Sequence, residues 1–169
     1  MALGLPVVFW LHQRHHAHVA HQQPREGDQL LLAGGEYPRG LDLFDLHGMV
    51  RQWIVVSGPT RGEPAVFPAA RSAHRNTIEI KRSSYLALLN LTIDGRDVAG
   101  VFGISAGGGT RDHSHHIRIE GCTIVGHGNG QQTVGISTKC PTWGWVLRGN
   151  RISGAGTGIY LGNSNGEEP

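Results

Sequence analysis

Lysine is nearly missing from this chain of 169 residues, where only Lys81 and Lys139 stand among 15 basic side chains. Charged residues together make up 17%, against about 25% in ordinary globular domains. That shortage excludes coiled coils and charged helical bundles, which need Ala, Leu, Glu and Lys in quantity. The net charge is only +2 and the arginines are scattered, so no basic stripe for nucleic acid exists and no such partner is expected. Cysteine is scarce as well. Cys122 and Cys140 allow at most one disulfide and lack the paired spacing of a zinc site. No apolar run reaches the roughly 18 residues that span a bilayer, and no membrane partner is expected. Disorder is excluded by a hydrophobic share of 38%.

Glycine, by contrast, is abundant, with 26 residues, roughly twice its usual share of about 7%. The glycines follow no three-residue period, which rules out collagen. A single domain of short strands and tight turns remains. Histidine is also over-used, with 11 in the chain. His12, His15, His16, His18 and His21 crowd the start, and His113, His115 and His116 sit just before an apolar segment.

Residues 1–24 read as a separate N-terminal segment. Pro6 opens and Pro24 ends a stretch from Val7 to Gln22 that predicts a short capping helix, with Val8, Leu11, His15 and Val19 on one face. The apolar run Ala2–Leu11 also has the character of a degenerate signal peptide, although no Lys or Arg precedes it.

From residue 25 to 169 the chain is repetitive. The segments starting at Leu86, Ile117 and Trp145 align, and their starts lie 31 and 28 residues apart. Leu88, Ile119 and Leu147 coincide, as do Leu91, Cys122 and Asn150, then Ile93, Ile124 and Ile152. Each segment closes on a glycine (Gly95, Gly126, Gly154), and each is followed by Gly103-Ile-Ser, Gly135-Ile-Ser or Gly158-Ile-Tyr. Apolar residues at every second position mean strands with one buried face. The phase breaks at Asn90, Gly121 and Gly149 mark bends between short strands. Fainter rungs run through Asp28–Tyr37, Trp53–Ser57, Ala65–Phe67 and Thr77–Ile80. The expected fold is all-β: a solenoid of about five rungs. Cys122 reads as a small core hydrophobe, which argues against a disulfide with Cys140. Asn150 reads as an inward amide that bonds the backbone of the neighbouring rung.

The pattern of strand, Gly or Asn bend, strand, Gly turn resembles the right-handed parallel β-helix family of pectate, alginate and chondroitin lyases. The entry Arg25-Glu-Gly-Asp-Gln-Leu-Leu-Leu-Ala-Gly-Gly-Glu-Tyr37 is similar to the opening of alginate- and chondroitin-lyase-like members, and Leu46-His-Gly48 with Ile54-Val-Val56 to their second rung. The resemblance covers residues 17–165. It implies a carbohydrate-active protein, secreted or periplasmic, that binds an acidic polysaccharide and cleaves it by elimination. The alternative is a non-catalytic glycan-binding or structural module, because many activities share this fold.

Within that frame, Arg118 and Glu120 face outward beside Val146 and Arg148, and Glu120 stands level with Arg148, close enough to pair. An outward arginine also suits bidentate binding of a sugar carboxylate. Lys139, near Ser137 on the outward phase, is the candidate base, and Arg148 is a second candidate catalytic residue. Arg118, Glu120, Ser137 and Tyr160 are the candidate substrate contacts. Turn aspartates Asp94, Asp97 and Asp112 are candidate ligands for Ca²⁺, although the Asn and two Glu that hold calcium in the lyases have no counterpart here. Gly126-His-Gly128 matches a motif of β-helix polygalacturonases, but their adjacent Asp pair is missing, and His127 reads as a turn residue. The chain stops at Gly158–Pro169 as a new rung begins, with no polar cap. It is therefore expected to be part of a longer β-helix or a shortened product, and the open edge to invite self-association.

Overall fold

The computed structural model describes residues 8–11 (backbone only), 24–69, 76–107 and 112–162. They form a parallel β-solenoid with three strands per turn. Its first strand, β1 (Val8–Leu11), precedes β2 (Gln29–Leu32), β3 (Gly35–Glu36) and β4 (Leu41–Phe44). The second turn is β5 (Ile54–Ser57), β6 (Ala65–Pro68) and β7 (Asn76–Lys81). The third is β8 (Ser84–Leu89), β9 (Leu91–Asp94) and β10 (Phe102–Ala106), and the fourth β11 (His115–Glu120), β12 (Thr123–His127) and β13 (Val134–Thr138). The last is β14 (Val146–Arg148), β15 (Arg151–Ala155) and β16 (Thr157–Leu161). Sheet A runs β1-β2-β5-β8-β11-β14, sheet B β3-β6-β9-β12-β15 and sheet C β4-β7-β10-β13-β16.

Every strand pair is parallel, and the register is the one the repeats imply. Leu88 pairs with Ile119 and Ile119 with Leu147. Ile93, Ile124 and Ile152 form a row in sheet B, and Ile104, Ile136 and Ile159 one in sheet C. The inward rows fill the column. Ile54, Leu86, Ile117, Phe67, Ile93, Ile124, Ile78 and Ile104 are almost wholly buried. Each such side chain contributes about 1.5–3 kcal/mol on leaving water.

The bends are chemical as well as geometric. Asn90, Gly121 and Gly149 all sit in the left-handed region, at φ of 55°, 64° and 62°. Only Gly, and at lower cost than other residues Asn, takes that conformation freely. One residue on, Asn150 closes a gap in the ladder. Its Oδ1 accepts from the Cys122 N–H at 2.9 Å, and its Nδ2 donates to the Ile119 carbonyl at 2.7 Å. The expected role of this inward amide is what the structure shows.

Three expectations change. Val8–Leu11 is not the start of a capping helix but a strand paired in parallel with β2. Its run of β-branched and aromatic residues suits a pleated edge, and the open flank of β2 offers the partner. The remainder of that helix and the early histidines lie outside the described residues. His127 is not in a turn: it ends β12, fully buried. Gly158–Leu161 does not begin a new rung but lies in β16, the closing strand of the last turn. Residues 163–169 are outside the description. Both cysteines are free and buried, with thiols raised by burial, Cys122 to about 11, so neither offers a thiolate.

Candidate functional site

Successive outward positions of sheet A form two rows. Gln29, Val55, Ala87, Arg118 and Val146 are register neighbours, and so are Leu31, Ser57, Leu89, Glu120 and Arg148. The short side chains Val55 and Ala87, with Leu89, leave a floor. Arg118 and Glu120 rise on one side, and Glu26, Arg51 and Trp53 on others. Together they line a groove of about 460 Å³.

Trp53 organises this groove. Its indole N–H donates to the Val50 carbonyl at 3.0 Å, which fixes the ring against the connection after β4. The Arg118 guanidinium lies over that ring, 4.1 Å from its centroid. The stack is favourable in its own right, and it leaves the in-plane N–H groups of the guanidinium free to point sideways. Among the described residues no carboxylate lies within ion-pair distance of Arg118. Glu120 and Arg148 are register partners as expected, but no ion pair joins them, and Arg148 is exposed.

A ring ladder continues from the groove to the corner between sheets C and A. Trp53 meets Tyr85 edge to face at 5.5 Å, and Tyr85 stacks on His116 at 4.6 Å. The 4.6 Å separation is close to the spacing of adjacent strands, about 4.8 Å. Both Tyr85 and His116 are left-handed, at φ of 51° and 52°, which turns both rings onto one column. His115 stacks on Trp143 at 4.4 Å, and the Nδ1 atoms of His115 and His116 are 2.8 Å apart. Burial, then the neighbouring His116, His47 and His113, hold His115 below the ordinary histidine range. At the same corner Arg82 donates two hydrogen bonds to Asp45, at 2.6 and 2.8 Å, and one to Asp112 at 3.3 Å. That bidentate contact holds the Asp45 carboxyl below its usual value. A hollow of about 390 Å³ lies between this ion-pair ladder, His47, His113, His115 and Trp143.

The structure separates the other expected residues. Lys139 follows β13 of sheet C and holds its ammonium 3.9 Å over the Phe102 ring, beside a hollow of about 680 Å³. Arg148 is in β14 of sheet A. Lys139 and Arg148 therefore stand on different sheets. Ser137 is wholly buried and bonded to Ser105 at 3.1 Å, closed to a polymer. Tyr160, its neighbour in register, is exposed. The aspartates do not converge. Asp94 Oδ1 accepts from the Arg96 N–H at 3.0 Å, Asp112 is held by Arg82, and the Asp97 carbonyl accepts from Asn129 at 3.0 Å. Among the described residues no group of His, Cys, Asp and Glu is arranged to hold a metal.

Sequence reasoning found Arg118 and Glu120 but missed Trp53, Tyr85 and Trp143. The signal was present: Trp53 and Tyr85 each immediately precede a repeat's first inward residue. No family model, no curated protein and no solved structure matches the chain, and what the structure shows is a parallel β-solenoid.

Proposed function

We propose that this chain is a non-catalytic binding module for an acidic polysaccharide, which lies in the groove of sheet A. The observation that carries the reading is the Arg118 guanidinium, stacked on Trp53 and without a carboxylate partner among the described residues. A guanidinium held flat in this way offers two parallel N–H groups to a uronate carboxylate at little further entropic cost. Arg51 supplies a second cation in the same groove, and Glu26 and Glu120 can accept hydrogen bonds from sugar hydroxyls. Binding is favoured over eliminative cleavage because Lys139 and Arg148 stand on separate sheets.

The test is titration calorimetry with oligomers of alginate, pectate and chondroitin, alongside ultraviolet absorbance for unsaturated products. The expected result is binding without product. Arg118→Gln is expected to weaken that binding by about tenfold or more, as loss of a charge-assisted bidentate pair implies. Product formation would overturn the non-catalytic reading, and absence of binding to every acidic oligomer would overturn the module itself.

A further inference from the structure

We propose that the corner between sheets C and A is a second carbohydrate site, which takes a neutral pyranose ring against Trp143. It is separate from the sheet A groove and stands whether or not that groove binds uronates.

The corner has a platform. Trp143 is 44% exposed, although His115 lies against it at 4.4 Å with the two rings only 12° apart. One indole face is thus covered, and the exposed area belongs to the rest of the ring. The platform is in place before any ligand arrives. The His116 N–H donates to the Trp143 carbonyl at 2.9 Å. Gly144 then turns the chain at φ 67°, where a Cβ would come within 3.0 Å of the His116 ring. An indole with its backbone fixed in this way loses little freedom on binding, and it offers apolar surface to the C–H face of a sugar.

The other wall supplies polar groups. Arg82 donates to both oxygens of Asp45, at 2.6 and 2.8 Å, and to Asp112 at 3.3 Å. A guanidinium has five N–H donors and a carboxylate about four acceptor positions, so the pair keeps donors and acceptors to spare. His47 sets its Nδ1 on the Ser84 hydroxyl at 3.4 Å, and its Nε2 stands outside that bond. Asp45, His47, Arg82 and Trp143 line one hollow of about 390 Å³, within the range of small-ligand sites. Adjacent sugar hydroxyls donate and accept at once, which suits a carboxylate and a guanidinium side by side.

Charge selects the neutral ring. Asp45 and Asp112 share Arg82, so these three side chains carry one net negative charge. The bonds from Arg82 hold the Asp45 carboxyl below its usual value, which keeps it an acceptor. A uronate brought here meets a like charge, and a neutral sugar does not. A planar base would also stack on the indole, but it lacks the paired hydroxyls.

The experiment follows the indole N–H signals of the unaltered chain by nitrogen-15 NMR during titration with cellobiose, maltose and lactose. Adenine and monomeric galacturonate are the competing probes. At least one neutral disaccharide is expected to shift the Trp143 signal, with a dissociation constant in the millimolar range. W143A is expected to weaken that binding about tenfold or more, as loss of one buried ring contact implies, and W143F to keep part of it. D45N is expected to weaken it about threefold to tenfold. A polygalacturonate hexamer in excess is expected to leave the sugar in place. No shift with any of the three disaccharides, or shifts confined to the other indoles, would overturn the site. So would equal affinity in W143A, displacement by the hexamer, or a preference for adenine or galacturonate.

Discussion

Acidification is expected to loosen the solenoid at His127 before it dissolves any ion pair. The imidazole is wholly buried at the end of β12. Its Nδ1 is 3.0 Å from the Val101 carbonyl, an acceptor, so the hydrogen must sit on Nδ1. Nε2 is then a bare lone pair with no partner among the described residues. It points at Gly103, where an added Cβ would come within 3.2 Å. A proton on Nε2 would create a buried cation with nothing to accept its N–H, and burial holds the folded His127 below the ordinary value of 6.5. The unfolded chain binds that proton freely below pH 6.5. Stability is therefore intact above pH 6.5 and falls as pH drops beneath it, until the lowered folded value is reached. One such group costs up to about 1.4 kcal/mol per pH unit in that window. For a domain of this size that is at most about 2–4 °C in Tm between pH 6.5 and 5.5. His115 shifts in the same direction, so the difference between the wild type and His127→Gln isolates the effect. The glutamine keeps a donor for Val101 and does not titrate. Thermal melts at pH 7.5, 6.5 and 5.5 are the assay. A variant that loses Tm on acidification as steeply as the wild type would refute the argument.

Other outcomes follow from the packing. Asn150→Ala strands the Cys122 N–H and the Ile119 carbonyl at a half-buried bend, and is expected to cost about 1–3 kcal/mol in urea unfolding; Asn150→Asp, which can accept but not donate, should fall between. Gly103→Ala places a Cβ 2.4 Å from the Gly135 carbonyl oxygen, a backbone atom that cannot swing away. It is expected to lower stability by at least about 2 kcal/mol, readable as a lost or much reduced folded yield. Trp53→Leu removes the ring under Arg118 and is expected to weaken acidic-oligomer binding about twofold to fivefold, with Tm nearly unchanged; equal affinity would show that the stack does not orient the guanidinium.

The β-solenoid was legible because its signal is repeated. One alternating strand is ambiguous with a buried helix segment, but three aligned segments with bends at Asn90, Gly121 and Gly149 fix both the period and the register. The isolated stretch Val7–Gln22 had no such partner. Pro6 suggested a helix start there, and the strand Val8–Leu11 exists only because β2 is present to pair with it. The site was half legible for the same reason. Arg118 and Glu120 were visible as outward members of a repeat. Trp53, Tyr85, His116 and Trp143 precede the aligned positions, and their column depends on left-handed residues that no periodicity announces. His127 was misplaced because a glycine on each side reads as a turn, whereas here Gly95 and Gly103 make room for a buried ring.

The three outer faces of the solenoid are not equivalent, and the difference favours sheet A as the face for the proposed binding. On sheet B the row Glu36, Val66, Thr92, Thr123 and Arg151 carries opposite charges at its two ends, and Arg96 occupies Glu36. On sheet C the row Asp42, Glu79, Ser105, Ser137 and Tyr160 passes from carboxylates to buried hydroxyls, and Lys81 neutralises Glu79 at 2.6 Å. Sheet A alone sets a stacked arginine without an ion-pair partner among the described residues beside a floor of small side chains. A long anionic chain needs room along the column and a cation not already satisfied, and the Arg118 groove supplies both for the proposed binding.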